Sequence, residues 1–266
     1  MLYTKKTFSF EYPVGEADVV LLGIPWDFSQ TGYPTRYGPF FIREAIKNMI
    51  GFDPETKTNV FEKYKFADLG DIEVVPGNWK PTEERIKDTI TSLFEANPKV
   101  LPIFLGGDHL VTLGILNSIK NLRNEKITVV DFDAHRDMLP EFLGERFSHV
   151  TWVNHALKDF DIVQVGARAW SGEEEKLKVN VTDGFQKTSK PVYVTVDMDV
   201  FDPKISPEVG TPEPNGMDFG EFLNILKEVA SSKVIGMDIV ECGSTEINST
   251  TATLAANIIK KMLCYK

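Results

Sequence analysis

The stretch Ile127-Thr128-Val129-Val130-Asp131-Phe132-Asp133-Ala134-His135-Arg136-Asp137 decides the fold, because a short apolar run passes directly into acids gathered around an imidazole. A run that is apolar almost throughout fits a parallel strand covered on both faces. Such sheets carry their chemistry in loops at the carboxyl ends of the strands, where Asp133, His135 and Asp137 stand. Residues two apart in an extended chain point the same way, so the three side chains are expected to converge just past the strand. Their oxygen and imidazole donors suit a hard to borderline divalent metal; the alternative is a capping loop leading into a turn.

The same pattern repeats on either side. Short apolar runs lie at 18–24, 100–105, 162–165, 192–196 and 233–239, with a weaker one at 65–69. Stretches of helical period separate them, at 38–48, 83–94, 110–122, 219–229 and 250–263, the fourth starting behind Asp218 as its cap. Alternating strand and helix predicts an α/β fold on a parallel sheet with crossover helices. No repeat, low-complexity tract or long linker divides residues 1–266, which are expected to form one catalytic domain.

Other strand ends add to the first. Asp197 and Asp199 alternate with apolar residues at the end of the run 192–196. Two carboxylates on one side of a buried strand repel and lose hydration; a cation resolves both problems. Asp202-Pro203 reads as a turn. Gly236-Met237-Asp238-Ile239-Val240-Glu241 again ends in acids, either a solvated strand end or, at Glu241, a partner for a cationic substrate. Gly106-Gly107-Asp108-His109 allows a tight strand-to-helix turn, delivering His109 to the same rim, with Asp108 as a helix cap or as a carboxylate orienting a histidine. Of the four histidines, His109 and His135 follow strand ends, His149 closes the loop that begins at Asp137, and His155 has no assigned role.

The net charge of −10 argues against nucleic acid or an anionic membrane as partner, and permits a cationic substrate. Cys242 and Cys264 are too few for a disulfide framework or a thiolate metal site, so a reducing, cytoplasmic setting is the expectation. Residues 1–13 lack an apolar run and a cleavage site, so no signal peptide is expected. No apolar stretch reaches the ~18 residues of a membrane span. Asp133, Asp137, Asp197 and Asp199 carry about −4, which one divalent ion would only half neutralise; the inventory therefore favours two. Oxygen-rich donors without thiolate point to Mn²⁺ over Zn²⁺.

These residues resemble the ureohydrolase family, the arginase and agmatinase group. The matching elements are Gly106-Gly107-Asp108-His109, Asp133-Ala134-His135-Arg136-Asp137, Asp197-Met198-Asp199 with Asp202-Pro203, and Asp238-Ile239-Val240-Glu241, in family order. Gly23-Ile24-Pro25-Trp26-Asp27, Tyr37-Gly38-Pro39-Phe40-Phe41-Ile42-Arg43 and Gly210-Thr211-Pro212-Glu213-Pro214-Asn215-Gly216 are similar too. The resemblance implies a three-layer α/β/α domain with a mainly parallel sheet of about eight strands, two Mn²⁺ per subunit and a homo-oligomer. By position, one ion would take His109, Asp133, Asp137 and Asp197, and the other Asp133, His135, Asp197 and Asp199. Three positions depart from the family: Thr195 replaces its usual Ser, Glu208 a small residue, and Arg136 a smaller, less charged one. Arg136 and Glu208 are expected to alter the pocket rim.

The implied reaction is attack of an activated water on a guanidinium carbon. Asp137 would accept its hydrogen bond, Glu241 would pair with guanidinium N–H groups, and His149 would pass a proton to the leaving amine. The loop 137–149 looks like agmatinase loops; Glu141 or Glu145 is a candidate to receive the distal ammonium of agmatine, against the alternative, favoured for either one alone, of a solvated loop carboxylate. Agmatine to putrescine and urea is thus the leading expectation. Hydrolysis of arginine, guanidinobutyrate or formiminoglutamate is the alternative within the family. A two-metal phosphoesterase, a single-zinc deacetylase on a related fold and a non-catalytic metal-binding protein are the rivals outside it.

Overall fold

The computed structural model describes residues 12–29, 31–123 and 125–266; the reading of residues 1–11 as no signal peptide lies outside them. The strands are β1 (Val19–Ile24), β2 (Phe52–Asp53), β3 (Thr58–Asn59), β4 (Phe66–Asp71), β5 (Leu101–Gly106), β6 (Thr128–Phe132), β7 (Asp161–Val165), β8 (Asn180–Thr182), β9 (Pro191–Asp197) and β10 (Lys233–Val240). The helices are α1 (Gly38–Asn48), α2 (Val60–Lys63), α3 (Trp79–Ala96), α4 (Leu110–Asn121), α5 (Trp152–Ala156), α6 (Phe219–Ala230) and α7 (Thr250–Tyr265). Eight strands form one sheet in the order β4-β1-β5-β10-β9-β6-β7-β8, and every pair in it is parallel. β2 and β3 form a separate antiparallel ribbon.

The central strands β1, β5, β6 and β9 are buried along their whole length, which explains their apolar runs. Side chains alternate between two cores. Val130, Phe132, Val194, Val196, Met237 and Ile239 face α1, α6 and α7. Val129, Tyr193 and Ile235 face α3, α4 and α5. The result is the three-layer α/β/α arrangement the sequence implies, with an all-parallel main sheet. No helix among the described residues is long and apolar enough to cross a membrane.

Elements with an unbroken period were legible almost to the residue. α3 starts four residues before its expected position, because Trp79 and Thr82 are also buried and Thr82 Oγ1 bonds back to the Asn78 carbonyl at 3.0 Å. β8, β2, β3 and the short α2 and α5 carry too few residues for a period to show.

Candidate metal centre and active site

The β5–α4 turn is held by backbone. Gly107 N–H donates to the Ile24 carbonyl and Asp108 N–H to that of Trp26, at 2.9 and 2.8 Å. A Cβ on Gly107 would lie 1.8 Å from the Trp26 carbonyl oxygen, so only glycine fits. Asp108 accepts from the amides of Phe28 (2.8 Å) and Leu110 (3.1 Å); it ties the first residue of α4 to the loop after β1, while His109 itself occupies the N-cap position. His109 then stands at the start of α4. Its Nε2 lies 3.0 Å from Thr195 Oγ1, which donates to Asp238 at 2.6 Å. Since the Thr195 hydroxyl proton goes to Asp238, Thr195 accepts from His109, which places the imidazole proton on Nε2 and frees Nδ1.

That Nδ1 faces three carboxylates: Asp133 Oδ2 at 3.1 Å, Asp197 Oδ2 at 3.2 Å and Asp137 Oδ2 at 3.3 Å. Alongside, His135 Nδ1 lies 2.9 Å from Asp199 Oδ2 and 3.6 Å from Asp133 Oδ1. Two donor groups result, His109 with Asp133 and Asp197, and Asp133 with His135 and Asp199. Asp133 belongs to both. Asp197 belongs only to the first, and its Oδ1 accepts the Asp199 amide at 2.8 Å.

Convergence comes from turns rather than from the extended chain used in the sequence argument. β6 ends at Phe132, and Asp137 adopts a left-handed backbone with φ 54°. Asp199 lies in a one-turn 3-10 helix, Met198–Val200. Glu241, past the end of β10, is also left-handed, φ 57°, and its Oε1 accepts the His109 amide at 2.9 Å. Non-glycine residues in this region cost of order 1–3 kcal/mol each and concentrate at functional sites.

The electrostatics call for cations. Burial raises Asp137, helped by the charge of Asp133, to about 7. Burial, with Asp199 and Asp133 nearby, pushes Asp197 well above the carboxylate range. Burial disfavours a charged imidazole at His135, yet Asp133 and Asp199 overcome it and hold the ring protonated, pushed up to about 12. His109 shifts upward for the same reason, through Asp133, Asp137 and Asp197. The cluster thus gathers protons where divalent cations would sit. With the imidazole proton on Nε2, His109 Nδ1 and Asp133 Oδ2 are buried without a hydrogen-bond partner; they lie 3.1 Å apart, and either an added proton on Nδ1 or a shared cation satisfies both.

The remaining expected residues lie on or just beyond the 137–149 loop. His149 begins a 3-10 turn at the end of the 137–149 loop, with Nδ1 3.0 Å from Ser148 Oγ. Burial and the positive charge of His109 and His135 push it down to about 4, below the ordinary value the sequence argument assumed. Glu141 and Glu145 are exposed; Phe142 and Glu145 exchange both backbone hydrogen bonds around Leu143-Gly144. His155 stacks on Phe147 at 4.7 Å and contacts the Arg146 carbonyl at 2.7 Å, so it shapes the loop.

Two rim expectations need correction. Arg136 lies over the Trp170 ring at 4.0 Å and donates to the Glu174 carbonyl at 3.1 Å, so its charge is turned into the 170–175 loop. Glu208 Oε2 accepts the Thr251 amide, and its own amide donates to Thr251 Oγ1, both at 3.0 Å; it caps α7.

Sequence reasoning missed two supporting residues. Arg168 donates to five carbonyls, those of Gly166, Glu213, Pro214, Val200 and Asp199, at 2.8–3.2 Å. All five of its N–H groups are thereby matched, and the backbone of Asp199 is pinned to the 213–214 loop. Trp152 touches both His109 and Asp137. Neither lies in an acidic motif, and a Trp or Arg alone gives no spacing signal.

The arginase-family model matches residues 17–185 and 175–264. Similar curated proteins include N(1)-aminopropylagmatine ureohydrolase of Thermococcus kodakarensis, 31% identical over 97% of this chain and 95% of that protein. Agmatinase of Pyrococcus horikoshii is 30% identical over 97% of this chain and 96% of its own. Among solved structures, agmatine ureohydrolase of Thermoplasma volcanium superposes with a TM-score of 0.84 at 26% identity, covering 100% of this chain and 95% of that one.

Proposed function

The chain belongs to the arginase family and is a ureohydrolase of that family, and from that premise we propose that it hydrolyses agmatine to putrescine and urea at a pair of Mn²⁺ ions. The observation that carries the reading is His109 Nδ1 facing Asp133, Asp137 and Asp197, with His135 and Asp199 completing a second donor group through Asp133. Divalent cations held there supply Lewis acidity, bringing the pKa of water toward neutrality and offsetting charge on oxygen.

The protein's own groups do the rest. Asp137 takes the hydrogen bond of the attacking water. One Glu241 oxygen is occupied by the His109 amide, and the other pairs with guanidinium N–H groups. The water oxygen adds to the guanidinium carbon, and the C–N bond to the aliphatic chain breaks. His149 takes the proton released by the attacking water and hands it to the leaving amine. Glu213 Oε1 comes within 3.9 Å of His135 Nε2 and is partly exposed, which supports it as the carboxylate that would meet a cationic tail. N(1)-aminopropylagmatine, named for the Thermococcus relative, has the same guanidinium and a longer cationic tail, and is the second substrate to test. A homo-oligomer and a cytoplasmic setting belong to the same proposal.

The test is urea release by Mn²⁺-loaded protein from agmatine, N(1)-aminopropylagmatine, arginine and 4-guanidinobutyrate. A cationic-tail substrate should exceed both carboxylate-bearing ones in kcat/KM by about tenfold or more, a difference of ~1.4 kcal/mol. Preference for a carboxylate-bearing substrate would overturn the choice of agmatine. Absence of urea from all four, with cations bound, would leave a binding protein.

A further inference from the structure

Trp152 is fully buried at the start of α5, 0% exposed. Its ring packs on His109 with centroids 4.8 Å apart and planes at 34°. Its Nε1–H donates to Asp137 Oδ2 at 3.0 Å, the same oxygen that lies 3.3 Å from His109 Nδ1. One side chain therefore touches two of the proposed ligands. The surrounding backbone reinforces it. Val153 N–H donates to the Asp137 carbonyl and Leu139 N–H to that of Val150, both at 3.1 Å. Asn154 Nδ2 donates to the Met138 carbonyl at 2.9 Å. These bonds fix the backbone on either side of Asp137, which is left-handed at φ 54°, a region uncommon for residues other than glycine though favoured by aspartate among them.

We infer that Trp152 is a positioning residue that divides the two oxygens of Asp137, keeping Oδ2 toward the cation beside His109 and leaving Oδ1 for the attacking water. An indole N–H is a donor only and has no lone pair to offer. A hydroxyl or water in its place could rotate and donate or accept. The indole therefore makes Oδ2 an acceptor permanently and adds no competing acceptor to the pocket. The ring fixes the tilt of His109 in the same contact. The statement about Oδ2 requires only cation binding; the statement about Oδ1 rests on the hydrolase reading.

Trp152→Phe keeps a ring against His109 and removes the N–H. Metal-free parent and variant are titrated with Mn²⁺ by calorimetry, and their thermal midpoints are compared. One of the two binding steps should weaken by about 10–100-fold, as when an outer hydrogen-bond partner of a metal ligand is lost, while the other step and the metal-free midpoint hold. Equal weakening of both steps with a lower midpoint would reduce Trp152 to core packing and overturn the inference, as would unchanged binding. If the variant does not fold, 5-fluorotryptophan in the parent sequence gives four resonances, one per tryptophan. The resonance that broadens first with Mn²⁺ must remain when Trp26, Trp79 and Trp170 are each replaced by Phe; its loss in any of these overturns the inference. Urea release is followed in parallel, with kcat expected to fall and KM for agmatine to hold. A parent that binds two cations without releasing urea refutes the hydrolase reading alone. A parent that releases urea alongside a variant with unaltered binding refutes the role of Trp152 alone.

Discussion

The imidazole of His149 lies against the ring of Phe142, centroids 5.8 Å apart, and shares a contact with Ser148. Burial first, then the positive charge of His109 and His135, pushes it down to about 4 from an ordinary 6.5. As pH falls, the unfolded chain takes up a proton near 6.5, while the folded chain resists until about 4. Stability tied to this group is thus complete above pH 6.5 and is lost progressively between 6.5 and 4, up to roughly 3 kcal/mol. His149→Gln removes the titrating group. Denaturant unfolding of metal-free protein at pH 7.5 and pH 5 should show a smaller drop for the variant than for the parent. Equal drops would mean that His149 titrates normally. The sequence placed this histidine at the end of the loop, but its proton affinity is a property of its neighbours.

Among the elements, α7 shows how a residue can be noticed for the wrong reason. Glu208 differs from the family habit, and the sequence suggested a pocket-rim role. In the fold it closes the N-terminus of α7 through reciprocal bonds with Thr251, beside the Ser249 cap, whose side chain accepts from Ala252. Glu208→Ala should therefore cost ~1 kcal/mol of stability, as loss of a helix cap does. Its kcat/KM for agmatine should stay within about threefold, as for substitutions away from a site. Chemical denaturation and steady-state urea assays check the two halves. A selective loss of kcat/KM at unchanged stability would return Glu208 to the rim. Helix capping across 43 residues of sequence, from Glu208 to Thr251, leaves no local pattern to read.

At the scale of the whole molecule, four sheet strands contribute their carboxyl ends to one acidic centre: β5 leads to His109, β6 to Asp133, β9 ends in Asp197 and β10 leads to Glu241. Without cations, protons balance this charge at His109 and His135. Mn²⁺ should thus raise the thermal midpoint by mass action, with ~2.7 kcal/mol of stabilisation at a hundredfold excess over Kd. The Mn²⁺ concentration needed should be higher at pH 6 than at pH 8, because the cations displace protons. A midpoint indifferent to Mn²⁺ and to chelator would speak against a metal centre that supports the fold.

What the sequence alone determined was the α/β class, most strand and helix positions, and the set of side chains that meet at the rim. Periodicity and clustered acids are local signals, and burial on both faces of a parallel sheet imposes them directly on the order of residues. The tertiary structure decided which oxygen faces which nitrogen, that Arg136 lies on Trp170 and Glu208 bonds to Thr251, and that Trp152 contacts His109 and Asp137 while Arg168 bonds to the Asp199 backbone. Those outcomes depend on contacts between residues far apart in the chain, and a donor finds its acceptor only once the strands have fixed where each backbone group points.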